Sequence, residues 1–273
     1  MPSMLTSNGR RVLIAGCGDV GLRLARRLLA RDIEVHALRR SAQAPTACGL
    51  HWHEGDLTAP PPLPRVDAIV FTATPDARNE AIYRRVFVQG LARMLDANPD
   101  ARVVLASSSA VYGDHDGGWV DEDTPPAPLG FNGRVLLEAE ALVQGQGGSA
   151  VRLAGLYGPG RLQLIDRLRA GAARVPRTHP FHVNRIHVDD AASALMHALD
   201  DPSPAPVYLG VDDTPLPMHE LYDAIAIACG APLPPEGPPP PGIGSKRLRN
   251  HRLRATGWQP VWPDARLGYL ALV

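Results

Sequence analysis

Residues 11–31 read RVLIAGCGDVGLRLARRLLAR, and the order of features in this stretch decides the fold. Arg11–Ala15 is a short apolar run of strand character, and residues 20–31 form an amphipathic helical pattern. Between them stands Gly16-Cys17-Gly18-Asp19-Val20-Gly21, a G-x-G-x-x-G that leaves a predicted strand and opens a predicted helix. That context, more than the glycines alone, predicts a dinucleotide-binding turn. Gly16 permits the tight turn, Gly18 lets the backbone approach a pyrophosphate, and Gly21 lets helix and strand pack closely. The helix N-terminus adds N–H groups and a partial positive charge for the phosphates. Gly16, Gly18, Asp19, Val20 and Gly21 are therefore assigned to the cofactor.

Outward from this unit, short apolar runs alternate with helical patterns, which predicts repeated βαβ units and a parallel sheet. Strands are expected at 33–38, 51–53, 68–72, 103–106 and 150–153. Helices are expected over 80–95 and 136–143. The fold class is α/β, a doubly wound Rossmann sheet with a smaller C-terminal substrate lobe. Residues 8–155 are read as the Rossmann domain and 156–273 as the lobe, interleaved with the last Rossmann strands. The prolines of 60–64 and 232–241 are read as spacers.

The end of the second strand bears on cofactor choice. NAD sites usually place an acid there for the ribose 2′-OH, whereas arginine accommodates a 2′-phosphate. Here the strand ends Ala37-Leu38-Arg39-Arg40-Ser41, and Glu34 lies at its other end. Two guanidiniums and a hydroxyl suit a phosphate dianion, so NADP(H) is expected over NAD(H). The alternative is a pair of surface arginines.

Composition narrows the function classes. Lys+Arg and Asp+Glu each number 28, so no general attraction to nucleic acid or an anionic membrane is expected. Cys17, Cys48 and Cys229 match no zinc or redox spacing and read as free thiols. No stretch approaches the roughly 18 apolar residues of a membrane span, and the N-terminus lacks a signal-peptide pattern. A cytoplasmic location is expected.

With these features in place, the chain resembles the extended short-chain dehydrogenases/reductases, the nucleotide-sugar epimerase and dehydratase group, along nearly its whole length. Gly55-Asp56-Leu57 resembles the acid after the family's third strand, which implies that Asp56 and Leu57 border the adenine. Residues 67–74 (DAIVFTAT) resemble the fourth-strand segment lining the cofactor, which implies roles for Thr72, Ala73 and Thr74. Residues 107–113 (SSSAVYG) resemble the family's serine motif. Residues 152–160 (RLAGLYGPG), 185–190 (RIHVDD) and 256–260 (TGWQP) resemble three further family segments.

One departure changes the meaning. The family's catalysis rests on a tyrosine with a lysine four residues later, in the helix after the serine motif. Residues 131–140 here read FNGRVLLEAE. Aligning the G-R and the terminal Glu puts Asn132 at the tyrosine and Leu136 at the lysine. Lys246 is the chain's only lysine and Gly242 precedes it by four, so no Y-x-x-x-K exists anywhere.

What remains is a smaller set of candidates. Ser108 matches the family's catalytic serine, with Ser109 the near alternative. Its hydroxyl can bond a substrate oxygen or simply cap the strand end. Tyr112 is the second candidate, and Tyr112 and Tyr157 read equally as packing residues. Arg134 cannot exchange protons but can bind an anion. Cys48, His51 and His53 have metal-ligand types without a completing cluster, so no metal site is assigned. His182 and His187 border the substrate cleft in the resemblance, and Asp189 and Asp190 are expected to cap the helix over 191–199.

Two functions fit this pattern. One is an NAD(P)-dependent oxidoreductase or epimerase-like enzyme with an atypical active site. The other is a non-catalytic NADP(H)-binding sensor or regulatory protein. The partners expected are a small-molecule substrate, with a sugar nucleotide as one candidate, and a homodimer as one assembly; nucleic acid and membrane are not.

Overall fold

The computed structural model describes residues 9–41 and 49–273, so Cys48 and position 8 lie outside the described residues. Strand β1 (Arg11–Ala15) leads through the glycine turn into helix α1 (Asp19–Leu29), then β2 (Glu34–Arg39) and β3 (Leu50–Glu54). Strand β4 (Ala68–Phe71) precedes one helical run of α2 (Glu80–Arg84), a π-helical turn (Arg85–Gly90) and α3 (Leu91–Ala97). Strand β5 (Arg102–Ser108), a 3₁₀ turn (Ser109–Val111), β6 (Trp119–Val120), α4 (Phe131–Gly145) and β7 (Ser149–Leu153) follow. Shorter pieces come next: β8 (Gly155–Tyr157), α5 (Gln163–Arg169), β9 (His182–Val183), β10 (Arg185–His187) and α6 (Val188–Asp200). The chain ends through β11 (Val207–Gly210), β12 (Leu216–Pro217), α7 (Met218–Ala228), β13 (Arg247–Leu248), α8 (His251–Ala255) and α9 (Ala265–Leu270).

Seven strands form one parallel sheet in the order β3-β2-β1-β4-β5-β7-β11. The chain runs outward from β1 to β3, then returns to the other side of β1 with β4. Ligands of such sheets bind where the order reverses, beyond the carboxyl ends of the strands. Here that point lies between β1 and β4. The apolar run of β4 is buried at every position, as a central parallel strand covered on both faces requires. Helix α1 buries Val20, Gly21, Leu24, Ala25 and Leu28 along one stripe.

The helix expected over 80–95 is interrupted by the π-helical turn. Gly90 lies in that turn, and a Cβ there would stand 2.8 Å from the Leu57 Cβ. The extra residue of the turn lets the backbone approach Leu57 at a spacing that a 3.6-residue pattern does not reveal.

The chain divides into two compact units, each built from three segments. One gathers Met1–Ser107, Val135–Val151 and Leu195–Pro206; the other gathers Ser108–Arg134, Arg152–Ala194 and Val207–Val273. The second unit has its own core, in which Tyr157, Ile165, Val175, Leu221, Ile225 and Tyr269 pack together. Its strand β11 is the sheet edge, and side chains occupy that edge. Glu122 Oε1 accepts from the Leu209 N–H at 2.9 Å and Arg252 donates to the Val207 carbonyl at 3.3 Å, which blocks edge-to-edge pairing there. The proline-rich 232–241 segment is pinned as well. Arg177 grips Asp223 through two bonds of 2.7 and 2.9 Å and also donates to the Pro234 carbonyl.

After β11, Asp212 is buried, and burial holds its pKa well above the usual carboxylate range, with Asp213 and Asp264 adding repulsion. The Thr214 and Ala265 amides oppose that shift without reversing it. A folded-state pKa raised above the unfolded value means that stability is lost as pH rises through the folded pKa. Asp212→Asn keeps an acceptor for the Thr214 amide and removes the charge. The variant is expected to be more stable than the parent at neutral pH, with the gap closing as pH falls toward about 4. Urea unfolding at a series of pH values measures this, and a gap that is constant with pH counts against it.

Candidate functional site

The glycine turn is fixed from both sides. The Gly16 and Cys17 amides both donate to the Leu38 carbonyl at 3.0 Å, and the Thr72 hydroxyl donates to the Gly16 carbonyl at 3.1 Å. Gly16 has φ +83°, and a Cβ there would lie 2.3 Å from the Ala73 Cα. Only glycine fits that conformation and that approach. At Gly21 a Cβ would meet Thr72 Oγ1 at 2.8 Å and Ile14 Cγ2 at 3.0 Å, so α1 lies tight on β1 and β4.

Gly18 is different. A Cβ built there comes no nearer than 4.0 Å to any protein atom, the Gly16 carbonyl oxygen. The fold gives no reason for a glycine at this position, and the space suits an approaching phosphate. Gly18 is the N-cap of α1 and places no side chain over the helix end. Asp19 is turned along the helix to Arg23 at 2.8 Å. Val20 is buried beneath the turn. The donor set and the open position therefore fit a dinucleotide pyrophosphate. Cys17 is buried, and burial pushes its thiol up to about 11, so it packs as a neutral side chain.

At the end of β2, the Arg39 guanidinium lies 5.9 Å from the centre of the Trp52 ring. Arg40 donates through both terminal nitrogens to the Asp76 carboxylate, and Ser41 is exposed. Glu34 stands at the start of the strand, where it bonds His36 Nε2 at 2.9 Å. Asp56 accepts from the Thr58 amide at 2.9 Å and hydroxyl at 2.6 Å, and from Arg85 at 2.9 Å. The Thr58 hydroxyl bond is the main cause holding its carboxyl below the usual range. Leu57 packs on Gly90 of the π-helical turn. Beyond β4, Thr72 and Ala73 hold the glycine turn, and Thr74 is exposed.

The histidines at 51 and 53 gather around a third. His36 stacks on His51 at 4.9 Å and approaches His53 Nε2 through its Nδ1 at 3.0 Å. Burial first, then His36 and His51, lowers the His53 pKa. Among the described residues, no group of three or more His, Cys, Asp or Glu is arranged to hold a metal.

In the helix after the serine motif, Glu140 is buried and accepts from the Ser107 hydroxyl at 2.5 Å. Leu136, four residues earlier, is buried, and Asn132, four residues before that on the same helical stripe, is partly buried. Gly133 sits against the chain that follows the motif, since a Cβ there would lie 2.4 Å from the Ala110 carbonyl oxygen. The Ser108 hydroxyl accepts from the Ala110 amide at 3.2 Å and caps the 3₁₀ turn. Tyr112 is buried. Its hydroxyl donates to the Asp121 carbonyl at 2.8 Å and accepts from Arg152 at 2.6 Å. Arg134 is exposed on α4.

Tyr157 is buried and stacks on Tyr269 at 4.4 Å, with His187 edge-on at 5.2 Å; burial pushes its phenol far above the ordinary value. The helix caps expected from Asp189 and Asp190 are not formed. Helix α6 begins at Val188, and His187 Nδ1 accepts the Asp189 amide at 3.2 Å in the capping position. Asp190 instead accepts the Val261 and Trp262 amides at 2.8 and 2.9 Å, which fastens the C-terminal segment to α6. His182 is partly buried, and burial lowers its pKa.

The lone lysine has a role that its sequence position does not suggest. Lys246 is buried, and its ammonium donates to the Gly113 and Gly244 carbonyls at 3.2 Å each. Around it the Ser245 amide donates to Asp114, and the His115 and Gly117 amides donate to the Ser245 carbonyl. Residues 244–246 thus clasp the loop that follows Tyr112. Nearby, a cleft of about 610 Å³ is lined by Trp119, Asp212, Leu248, Arg249, His251 and Arg254, among others.

The strand order, the glycine turn and the uncapped helix define a Rossmann-type protein built for a dinucleotide. The chain belongs to the NAD-dependent epimerase/dehydratase family, whose model matches residues 12–209. Protein YeeZ of Escherichia coli K12 is 31% identical over 216 residues, covering 73% of this chain and 76% of YeeZ. A chain from Methylobacillus flagellatus assigned to the NAD-dependent epimerases/dehydratases is 37% identical, with TM-score 0.79 over 96% of this chain and 97% of that one. A UDP-glucose 4-epimerase of Thermus thermophilus, solved with NAD, shares the fold at TM-score 0.79 and 22% identity, over 95% of this chain and 96% of that one. No described helix is long and apolar enough to cross a membrane.

Gly16 and Gly18 should therefore fail in opposite ways. Gly16→Ala adds a strained conformation and an overlap with Ala73, at a cost of roughly 2–5 kcal/mol in stability. Gly18→Val is expected to cost no more than about 1 kcal/mol in stability, through the poorer N-cap, while abolishing dinucleotide binding. Urea unfolding and calorimetric titration read the two effects separately. Normal cofactor binding by Gly18→Val counts against the pyrophosphate placement.

Proposed function

We propose that this chain binds NADP(H) in preference to NAD(H) and works as an oxidoreductase or epimerase-like enzyme on a small carbonyl or sugar-nucleotide substrate. The observation that carries this reading is the pairing of a glycine turn open at Gly18 with Asn132 and Leu136 at the positions where the family has tyrosine and lysine. The first feature argues for a working cofactor site. The second argues that proton transfer is handled differently. Arg39, Arg40 and Ser41, with no carboxylate among the three, support the 2′-phosphate preference.

When bound, the cofactor supplies hydride transfer, and the protein supplies position and charge. The residues assigned to hold it are Gly16, Gly18, Asp19, Val20 and Gly21 at the pyrophosphate, Arg39, Arg40 and Ser41 at the ribose phosphate, and Asp56, Leu57, Thr72, Ala73 and Thr74 along the adenosine. Ser108 keeps a hydrogen to donate, because its oxygen is the atom that accepts the Ala110 amide. That hydrogen suits a substrate carbonyl or alkoxide. Tyr112 is assigned to holding the motif through Asp121 and Arg152. In the second unit, Arg249 and Arg254 at the 610 Å³ cleft suit an anionic part of a substrate.

A free tyrosine with pKa near 10 is ionised to about one part in a thousand at neutral pH. A neighbouring ammonium and the cofactor's charge favour the phenolate in the family's usual arrangement. Asn132 does not titrate and Leu136 carries no charge. General acid–base assistance of this kind is commonly worth about 10²–10⁴ in rate.

Turnover on a panel of sugar nucleotides and simple ketones is therefore expected to lie roughly 10²–10⁴ below a typical enzyme rate of about 10 per second. Cofactor absorbance with product analysis measures it, and a typical rate overturns the missing-relay reading. Complete silence with tight cofactor binding instead supports a non-catalytic sensor. Calorimetry with both cofactors tests the preference, which fails if NAD(H) binds as well as NADP(H) and Arg39→Ala changes neither.

A further inference from the structure

The ion pair between Arg40 and Asp76 crosses the cofactor turn. Arg40 follows β2, Asp76 follows β4, and β1 with its glycine turn lies between those two strands in the sheet. Both terminal nitrogens of Arg40 donate to the Asp76 carboxylate, so the pair spans the carboxyl end of β1. Asp56 and Arg85 flank the pair and bond each other at 2.9 Å. Asp56 is further held by the Thr58 amide and hydroxyl. Of these two carboxylates, Asp76 is thus the one whose bonds run to a guanidinium assigned to the cofactor.

We propose that Asp76 is a specificity-determining residue of the adenosine site, competing with a ligand's 2′-phosphate for Arg40. The inference rests on the NADP(H) reading above. A guanidinium offers five donors along two edges, and Asp76 takes the edge formed by the two terminal nitrogens of Arg40. Binding a 2′-phosphate on that edge requires Arg40 to exchange Asp76 for the ligand. It also places a dianion near a carboxylate left without its partner. A ribose 2′-hydroxyl carries no charge and meets neither cost. The pair is open to solvent, with side-chain exposures of 51% for Arg40 and 62% for Asp76. An exposed pair is weak and salt-screened, so ligand phosphate can displace it. Asp76 then tempers the phosphate preference that Arg39, Arg40 and Ser41 create.

Calorimetric titration of NADPH, NADH and adenosine 2′,5′-bisphosphate into four proteins tests this: the parent, Asp76→Asn, Arg40→Ala and the double variant. Asp76→Asn is expected to tighten NADPH and the bisphosphate about two- to fivefold and to leave NADH nearly unchanged. In the Arg40→Ala background the same substitution is expected to have a much smaller effect, which is the coupling that a double-mutant cycle isolates. Arg40→Ala alone is expected to weaken NADPH selectively. If it does so while Asp76→Asn leaves NADPH unchanged, the competition is overturned and the NADP(H) reading stands. If Arg40→Ala leaves NADPH unchanged, the 2′-phosphate is not held by Arg40 and the competition is overturned, while the NADP(H) reading falls only if the parent binds NADH as tightly as NADPH. Both side chains are exposed, and circular dichroism of each variant verifies that the fold is retained.

Discussion

The left-handed backbone at Gly16, with its Cα against Ala73, ties three strands together at one point. From that residue and its neighbour, two amides reach back to Leu38 at the end of β2, and Thr72 at the end of β4 reaches in to the Gly16 carbonyl. The carboxyl ends of β2, β1 and β4 are thereby locked in register before any ligand arrives. Helix α1 then starts where its N-terminus faces the gap left at Gly18. A site preorganised in this way loses little conformational entropy on binding. The arginines and the threonine segment inherit their places from the same lock.

Helix α4 is anchored at two points. Glu140 is buried against Ser107, and Gly133 lies close to the Ala110 carbonyl. Both contacts fix the axial position of α4, and neither depends on what stands at 132 or 136. A lysine at 136 would put an ammonium where a buried leucine now sits, and burying a charge is costly unless it is paired. Leucine carries no such cost at this position.

Local patterns in the sequence carried the first lobe well. The apolar runs of β1, β4 and β5, the amphipathic α1 and the close packing at Gly16 and Gly21 all follow from spacing within a dozen residues. What escaped was set by partners far away in the chain. Lys246 reads as an isolated cation until its carbonyl acceptor at Gly113 is seen. Asp190 reads as a helix cap, yet its two acceptor bonds run to residues 261 and 262. His36 gives no signal alone and becomes the centre of a histidine column only through the β2–β3 register, which sets His36 beside His51. Spacing rules weigh neighbours along an element, and these groups are satisfied across elements.

The buried lysine of the second unit shows why one position keeps an ammonium. Its pKa is lowered by burial and supported only by Asp114, so its value lies in geometry and not in net charge. Three rotatable donors on a flexible stem serve two carbonyls from separate segments, Gly113 and Gly244, whereas the donors of an arginine are fixed in one plane. In a chain whose other strong cations are all arginines, that difference gives a physical reason for the exception. The Gly113 carbonyl immediately follows Tyr112, and the Tyr112 hydroxyl is in turn held by Asp121 and Arg152. Tyr112 is therefore constrained at its backbone and at its hydroxyl, four residues beyond Ser108. Helix α4 holds no lysine, and the one lysine of the chain fixes the loop that follows Tyr112 through its bonds to the Gly113 and Gly244 carbonyls.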